Sequence, residues 1–120
     1  MAVNTNVSRS AHQKILAHLR TLRVSIDQAR SALMHYKDDR VDRDKLEPAA
    51  RRVDDLMNMF ATGLGDTAQG VEWMNGIQSG VEQVANPKSA AALRDAGVEI
   101  AALIAVMKVI GNKDAPAANA

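Results

Sequence analysis

The chain has 120 residues, a length that suits one compact domain. Apolar residues make up 47% of it, but only Tyr36, Phe60 and Trp73 are aromatic, so the core must be filled by Ala, Leu, Ile, Val and six Met. That palette favours closely packed helices over a sheet, and the lack of any cysteine excludes disulfides and thiolate metal sites.

The net charge of +1 hides a division: residues 1–53 sum to +5 and residues 54–120 to −4. Such polarity suits an anionic partner or head-to-tail self-association. The opening MAVNTNVSRSAHQ is polar and holds no apolar signal region. The most apolar run, Ile100 to Met107, lies between Glu99 and Lys108 and is far shorter than the ~20 residues that span a bilayer. The expectation is a protein without a membrane span, cytoplasmic or part of a larger assembly built from cytoplasmically made subunits.

The first helix is predicted over Ser10 to Lys37. Ile15, Leu19, Leu22, Ile26, Ala29, Leu33 and Tyr36 follow at intervals of 4, 3, 4, 3, 4 and 3, a heptad seam facing a neighbouring helix. Ser8 or Ser10 is the candidate N-cap. Residues 37–47, KDDRVDRDKLE, read as an exposed, partly helical connection. Pro48 fits the first turn of a second helix, which carries Leu46, Ala49, Val53, Leu56, Phe60 and Leu64. The glycines of Thr62–Asp66 (TGLGD) suit a left-handed cap at its end.

Asp66 or Thr67 caps a third helix with Val71, Met74, Ile77, Val81 and Val84 as its apolar set. Asn86-Pro87 stops it and starts the fourth, with Asn as N-cap and Pro at the first position. The fourth helix holds Leu93, Ala96, Ile100, Leu103, Met107 and Ile110, and Gly111 is read as its end. The expected architecture is all-α: an N-terminal arm over 1–9, a mostly antiparallel four-helix bundle over 10–111, and a flexible tail over 112–120.

The third helix contains Gly70, Gly76 and Gly80, each costing about 0.8–1 kcal/mol relative to alanine inside a helix. Gly76 and Gly80 lie one turn apart on one face. Two readings compete: with Gly97 they allow close crossing of the third and fourth helices, or Asn75-Gly76 breaks the third helix. The fourth helix is apolar on nearly every face from Ile100 to Ile110, which makes it either central to the bundle or half of an interface.

Catalytic and metal chemistry find little support. His12, His18 and His35 have no ligand spacing and fit no His-Glu-x-x-His pattern. The acidic group Asp38, Asp39, Asp42, Asp44 and Glu47 is interleaved with Arg40, Arg43 and Lys45 and lacks the turn glycine of a calcium loop, so it reads as a solvated connector. No nucleophile triad or phosphate loop is visible, and no cofactor is expected. Arg23, Arg30 and Lys37 are seven apart and, with Arg20, make a possible anion-binding stripe. The competing reading is a flank that pairs with acidic residues of a neighbouring helix.

The size resembles that of histidine phosphotransfer domains, but His18 is followed by LRTLRVS and lacks the Lys step of that motif. MAVNTNVS, residues 1–8, resembles the start of bacterial flagellins. Residues 86–113 are similar to the C-terminal helix of type III secretion needle and inner-rod subunits, which also set a short Asx-Pro element before an assembly helix. These likenesses imply helices that serve self-assembly.

The expected function is a non-enzymatic protein–protein interaction protein, a structural or adaptor subunit bound to itself or another protein. Ile100, Leu103, Ile104, Met107 and Ile110 are the expected contacts, with Gly76, Gly80 and Gly97 as close-approach positions. Alternatives are a nucleic-acid-associated protein using the basic stripe and phosphotransfer through His18 or His35.

Overall fold

The computed structural model describes residues 9–33 and 39–114. Ser8, His35, Tyr36, Lys37, Asp38, most of the N-terminal arm and residues 115–120 lie outside them. Among the described residues the elements are α1 (Arg9–Ala32), α2 (Arg40–Lys45), α3 (Glu47–Ala61), α4 (Thr67–Glu82), a 3₁₀ turn (Pro87–Ser89) and α5 (Ala90–Asp114), with no strand.

The four long helices run alternately up and down, as the pairings between them show. Cross-links fix the arrangement. Arg23 and Arg30 of α1 meet Asp54 and Glu47 of α3, the partner numbers falling as α1 advances. His18 of α1 pairs with Glu99 of α5. Arg52 of α3 lies over Trp73 of α4, and Gly70 of α4 abuts Met107 of α5. Around the bundle the order is α1, α3, α4, α5, and the α3–α4 side is the sparsest of the four.

The ends follow from local chemistry. Asp66 Oδ1 accepts from Ala68 N at 2.8 Å and Asn86 Oδ1 from Lys88 N at 3.0 Å, satisfying N–H groups that α4 and the 3₁₀ turn leave without helical partners. Gly63 closes α3 in the left-handed region at φ 82°, which lets Leu64 N reach back to Met59 O at 2.8 Å. Pro48 sits in the first turn of α3.

Within the described residues the seam of α1 and the turn after it is core: Ile15, Leu19, Leu22, Ile26, Ala29 and Leu33 all have zero exposure. Opposite them stand Val53, Leu56 and Phe60 of α3, Met74 and Ile77 of α4, and Ile100, Leu103 and Met107 of α5. Leu64 departs from its expected place, lying beyond α3 and 69% exposed.

Three further expectations are corrected. α5 does not stop at Gly111 but continues to Asp114. Gly111 serves close approach instead, since a Cβ there would lie 2.8 Å from Thr67 Oγ1 at the start of α4. α4 is continuous through Asn75-Gly76, so no break exists. Nor do Gly76, Gly80 and Gly97 let helices cross closely: a Cβ at any of them would meet nothing within 4 Å. The close approach occurs one register earlier, at Gly70, where a Cβ would sit 2.7 Å from Met107 Sδ.

The connector before α3 is also more structured than its charge pattern suggests. Asp39 is only 7% exposed and accepts from Lys88 Nζ at 2.6 Å and Asn86 Nδ2 at 3.0 Å, tying the α2 end of the bundle to the start of α5. The Lys88 hydrogen bond, then that of Asn86, holds the Asp39 carboxyl below the usual aspartate range.

Candidate functional site

α5 divides its apolar residues between two faces. Ile100, Leu103 and Met107 have zero exposure and belong to the chain's own core, so a partner cannot reach them in the folded bundle. Ile104 and Ile110 are half-buried against that core. The apolar surface left over is a different set. Val98 is 67% and Val109 63% exposed. Ala101 and Ala105, also exposed, stand between them at intervals of 3, 4 and 4, making one stripe up the outside of the helix. Half-buried Ala102 and Val106 widen it toward α1. Arg94 and Asp95, one turn before Val98, are exposed and form no ion pair among the described residues.

Gly76 and Gly80 come together with a second feature. On the sparse α3–α4 side they line a groove of about 460 Å³ with Pro48 and Ala49 from α3 and Trp73 and Ile77 from α4. Trp73 is half-buried, and the Arg52 guanidinium lies 4.6 Å from its ring centroid, a cation–π contact. Gly97 is on α5 and does not join this groove. Sequence periodicity placed the two glycines on one face but gave no means of finding Arg52 or Pro48 beside them, because those come from another helix.

The basic stripe is drawn into the fold. Arg23 donates from Nε to Asp54 Oδ1 at 2.8 Å and from Nη2 to Asp54 Oδ2 at 3.2 Å, the two-pronged geometry that suits a guanidinium and a carboxylate, and it also meets Asp27. The Asp54 hydrogen bond, helped by the charges of Asp27 and Asp54, raises the Arg23 pKa against the opposing effect of burial. Arg30 donates to Glu47 Oε1 at 2.8 Å and lies 3.6 Å from Asp27. Arg20 is exposed beside Asp54 and Asp55, and Lys37 lies outside the described residues. Arg23 and Arg30 therefore form interhelical ion pairs with α3, the alternative that heptad logic offers for charges beside a seam.

The two described histidines are similarly placed. His18 is paired through Nδ1 with Glu99, and His12 sits edge-on to Phe60 with ring centroids 5.7 Å apart. Neither offers a free imidazole on an open face. Among the described residues no group of three or more His, Asp or Glu could hold a metal ion, and no helix is long and apolar enough to cross a membrane.

Comparison with known proteins finds no family model, no curated protein and no solved structure that matches this chain.

Proposed function

We propose that this chain is a non-enzymatic helical interaction subunit that associates with its own copies or with another protein through the outer face of α5. The observation that carries the reading is the exposure of Val98 and Val109 on a helix whose opposite side is already committed to the core. Two β-branched apolar side chains separated by alanines give a slim ridge that another helix can approach closely, and burying them is favourable by about 25 cal/mol per Å² of apolar surface. Over the 11 residues between them the stripe is only about 17 Å long, so association through it alone is weak and concentration-dependent.

The nucleic-acid alternative has less behind it, since Arg23 and Arg30 direct their charge to Asp54, Asp27 and Glu47. The phosphotransfer alternative is weakened by the Glu99 partner of His18.

The test is light scattering across a concentration series on the wild type and on a Val98→Glu, Val109→Glu double variant. Leu103 is unsuitable because its substitution would unfold the core. The expected result is a wild-type mass that rises with concentration and a variant that stays monomeric with an unchanged melting temperature. A variant that assembles as the wild type does would remove the α5 face from the mechanism. A wild type that is monomeric throughout would remove self-association.

A further inference from the structure

The groove between α3 and α4 carries an inference independent of the α5 face. Its bare floor has no role in the fold. A Cβ at Gly76 or Gly80 would touch nothing within 4 Å, and neither residue has a positive φ. Alanine at both positions would stiffen α4 without a clash. What the two glycines do provide is depth, one turn apart along a groove of about 460 Å³, within the range of roughly 300–1,000 Å³ typical of small-molecule sites. The groove follows α4 from Trp73 to Gln83, ten residues or about 15 Å.

Its lining is more apolar than polar, with Ser79 and Gln83 among the polar residues, and its charge is mostly positive. Trp73 and Pro48 line it with the two glycines, Arg52 and Lys45 are its cations, and Glu72 is the sole carboxylate in the lining. Lys45 is 3.5 Å from Asp42, which takes up part of its charge. Arg52 lies over the Trp73 ring and makes no ion pair with a carboxylate among the described residues. A guanidinium fixed over an indole in a largely apolar groove keeps donors available for an anion.

We propose that this groove binds a free, single-chain anionic amphiphile, its apolar chain along Gly76 and Gly80 and its headgroup on Arg52. The ligand class follows from the pairing of a largely apolar groove with one cation that no carboxylate takes up among the described residues. A neutral hydrocarbon would leave Arg52 unused, and an inorganic anion would leave the trough unused.

Trp73 is the only tryptophan of the chain, so its emission reports on occupancy directly. The experiment titrates the full chain with dodecanoate below its micelle concentration, following Trp73 emission and confirming affinity by calorimetry. Saturable one-site binding is expected. Arg52→Gln and the groove-filling Gly80→Leu should each weaken it at least tenfold at a melting temperature no lower than that of the wild type, and dodecyltrimethylammonium should bind at least tenfold more weakly than dodecanoate. If Gly80→Leu does not fold, Gly76→Ala replaces it, with a loss of affinity of at least threefold expected. The proposal is overturned by the absence of saturable binding, by wild-type affinity in the Arg52 or glycine variants, or by equal binding of the cationic amphiphile. A response to phosphatidylglycerol vesicles without one to monomeric dodecanoate would also overturn it, assigning the groove to a membrane surface.

Discussion

Replacing Gly76 and Gly80 of α4 by alanine should make this protein more stable. Both lie inside a continuous 16-residue helix, both have ordinary helical backbone geometry, and a Cβ on either would meet no atom within 4 Å. The folded state therefore gains no strain, while the unfolded state loses the extra freedom of glycine, worth about 0.4–1 kcal/mol per site. Helix propensity gives a similar figure of about 0.8–1 kcal/mol. Together the two substitutions should add roughly 1–2 kcal/mol, because the new methyls do not touch and their effects should be close to additive. At about 4 °C per kcal/mol for a domain of this size, the double variant should melt some 4–8 °C higher.

Urea and thermal unfolding followed by helical circular dichroism measure this directly. Gly70→Ala is the internal control, since its Cβ would sit 2.7 Å from the Sδ of fully buried Met107. Overpacking of about 1–3 kcal/mol should there cancel or exceed the propensity gain. A double Gly76, Gly80 variant that is less stable than wild type would refute the reasoning, because it would mean that α3 or another chain packs on the α4 backbone in solution.

Other substitutions separate the kinds of force in the bundle. Gly65→Ala would bring a Cβ to 2.2 Å from the buried Phe60 ring, so it should destabilise by at least about 1–3 kcal/mol in the same melts. Leu22→Ala empties a fully buried seam position and should cost about 2–5 kcal/mol by urea denaturation. Asn86→Ala removes the cap on Lys88 N, worth about 0.5–2 kcal/mol, together with the side-chain bonds to Asp39 and Asp42, and should lower the melting temperature at neutral pH. Asp39 has a depressed pKa, so its contribution is present above the unfolded value near 3.9 and is lost as pH falls below that toward the folded value. An Asp39→Asn variant should consequently be less stable than wild type at pH 7, and the gap should narrow in melts below about pH 4.

The helices themselves were readable from the chain because their causes are local. The intervals of α1 fix which side is apolar, Asn86-Pro87 carries its own cap, and Gly63 allows the turn that ends α3. Periodicity also identified Ile100, Leu103 and Met107 as belonging together, but it could not say whether the bundle or a partner covers them. An apolar stripe has the same spacing either way, and only the packing of α5 against α1 and α4 makes them core and leaves Val98 and Val109 outside.

The glycines show the same division. Sequence can count glycines in a helix, yet what each is for depends on the atom opposite. Gly70 faces Met107 and Gly111 faces Thr67, whereas Gly76 and Gly80 face open space beside Trp73 and Arg52. The basic stripe likewise became a set of ion pairs only when Asp54 and Glu47, 31 and 17 residues away along the chain, arrived beside Arg23 and Arg30. Backbone propensity, capping and apolar period act within a few residues and are written in the chain. Burial and charge pairing act across helices, and the tertiary structure alone decides them.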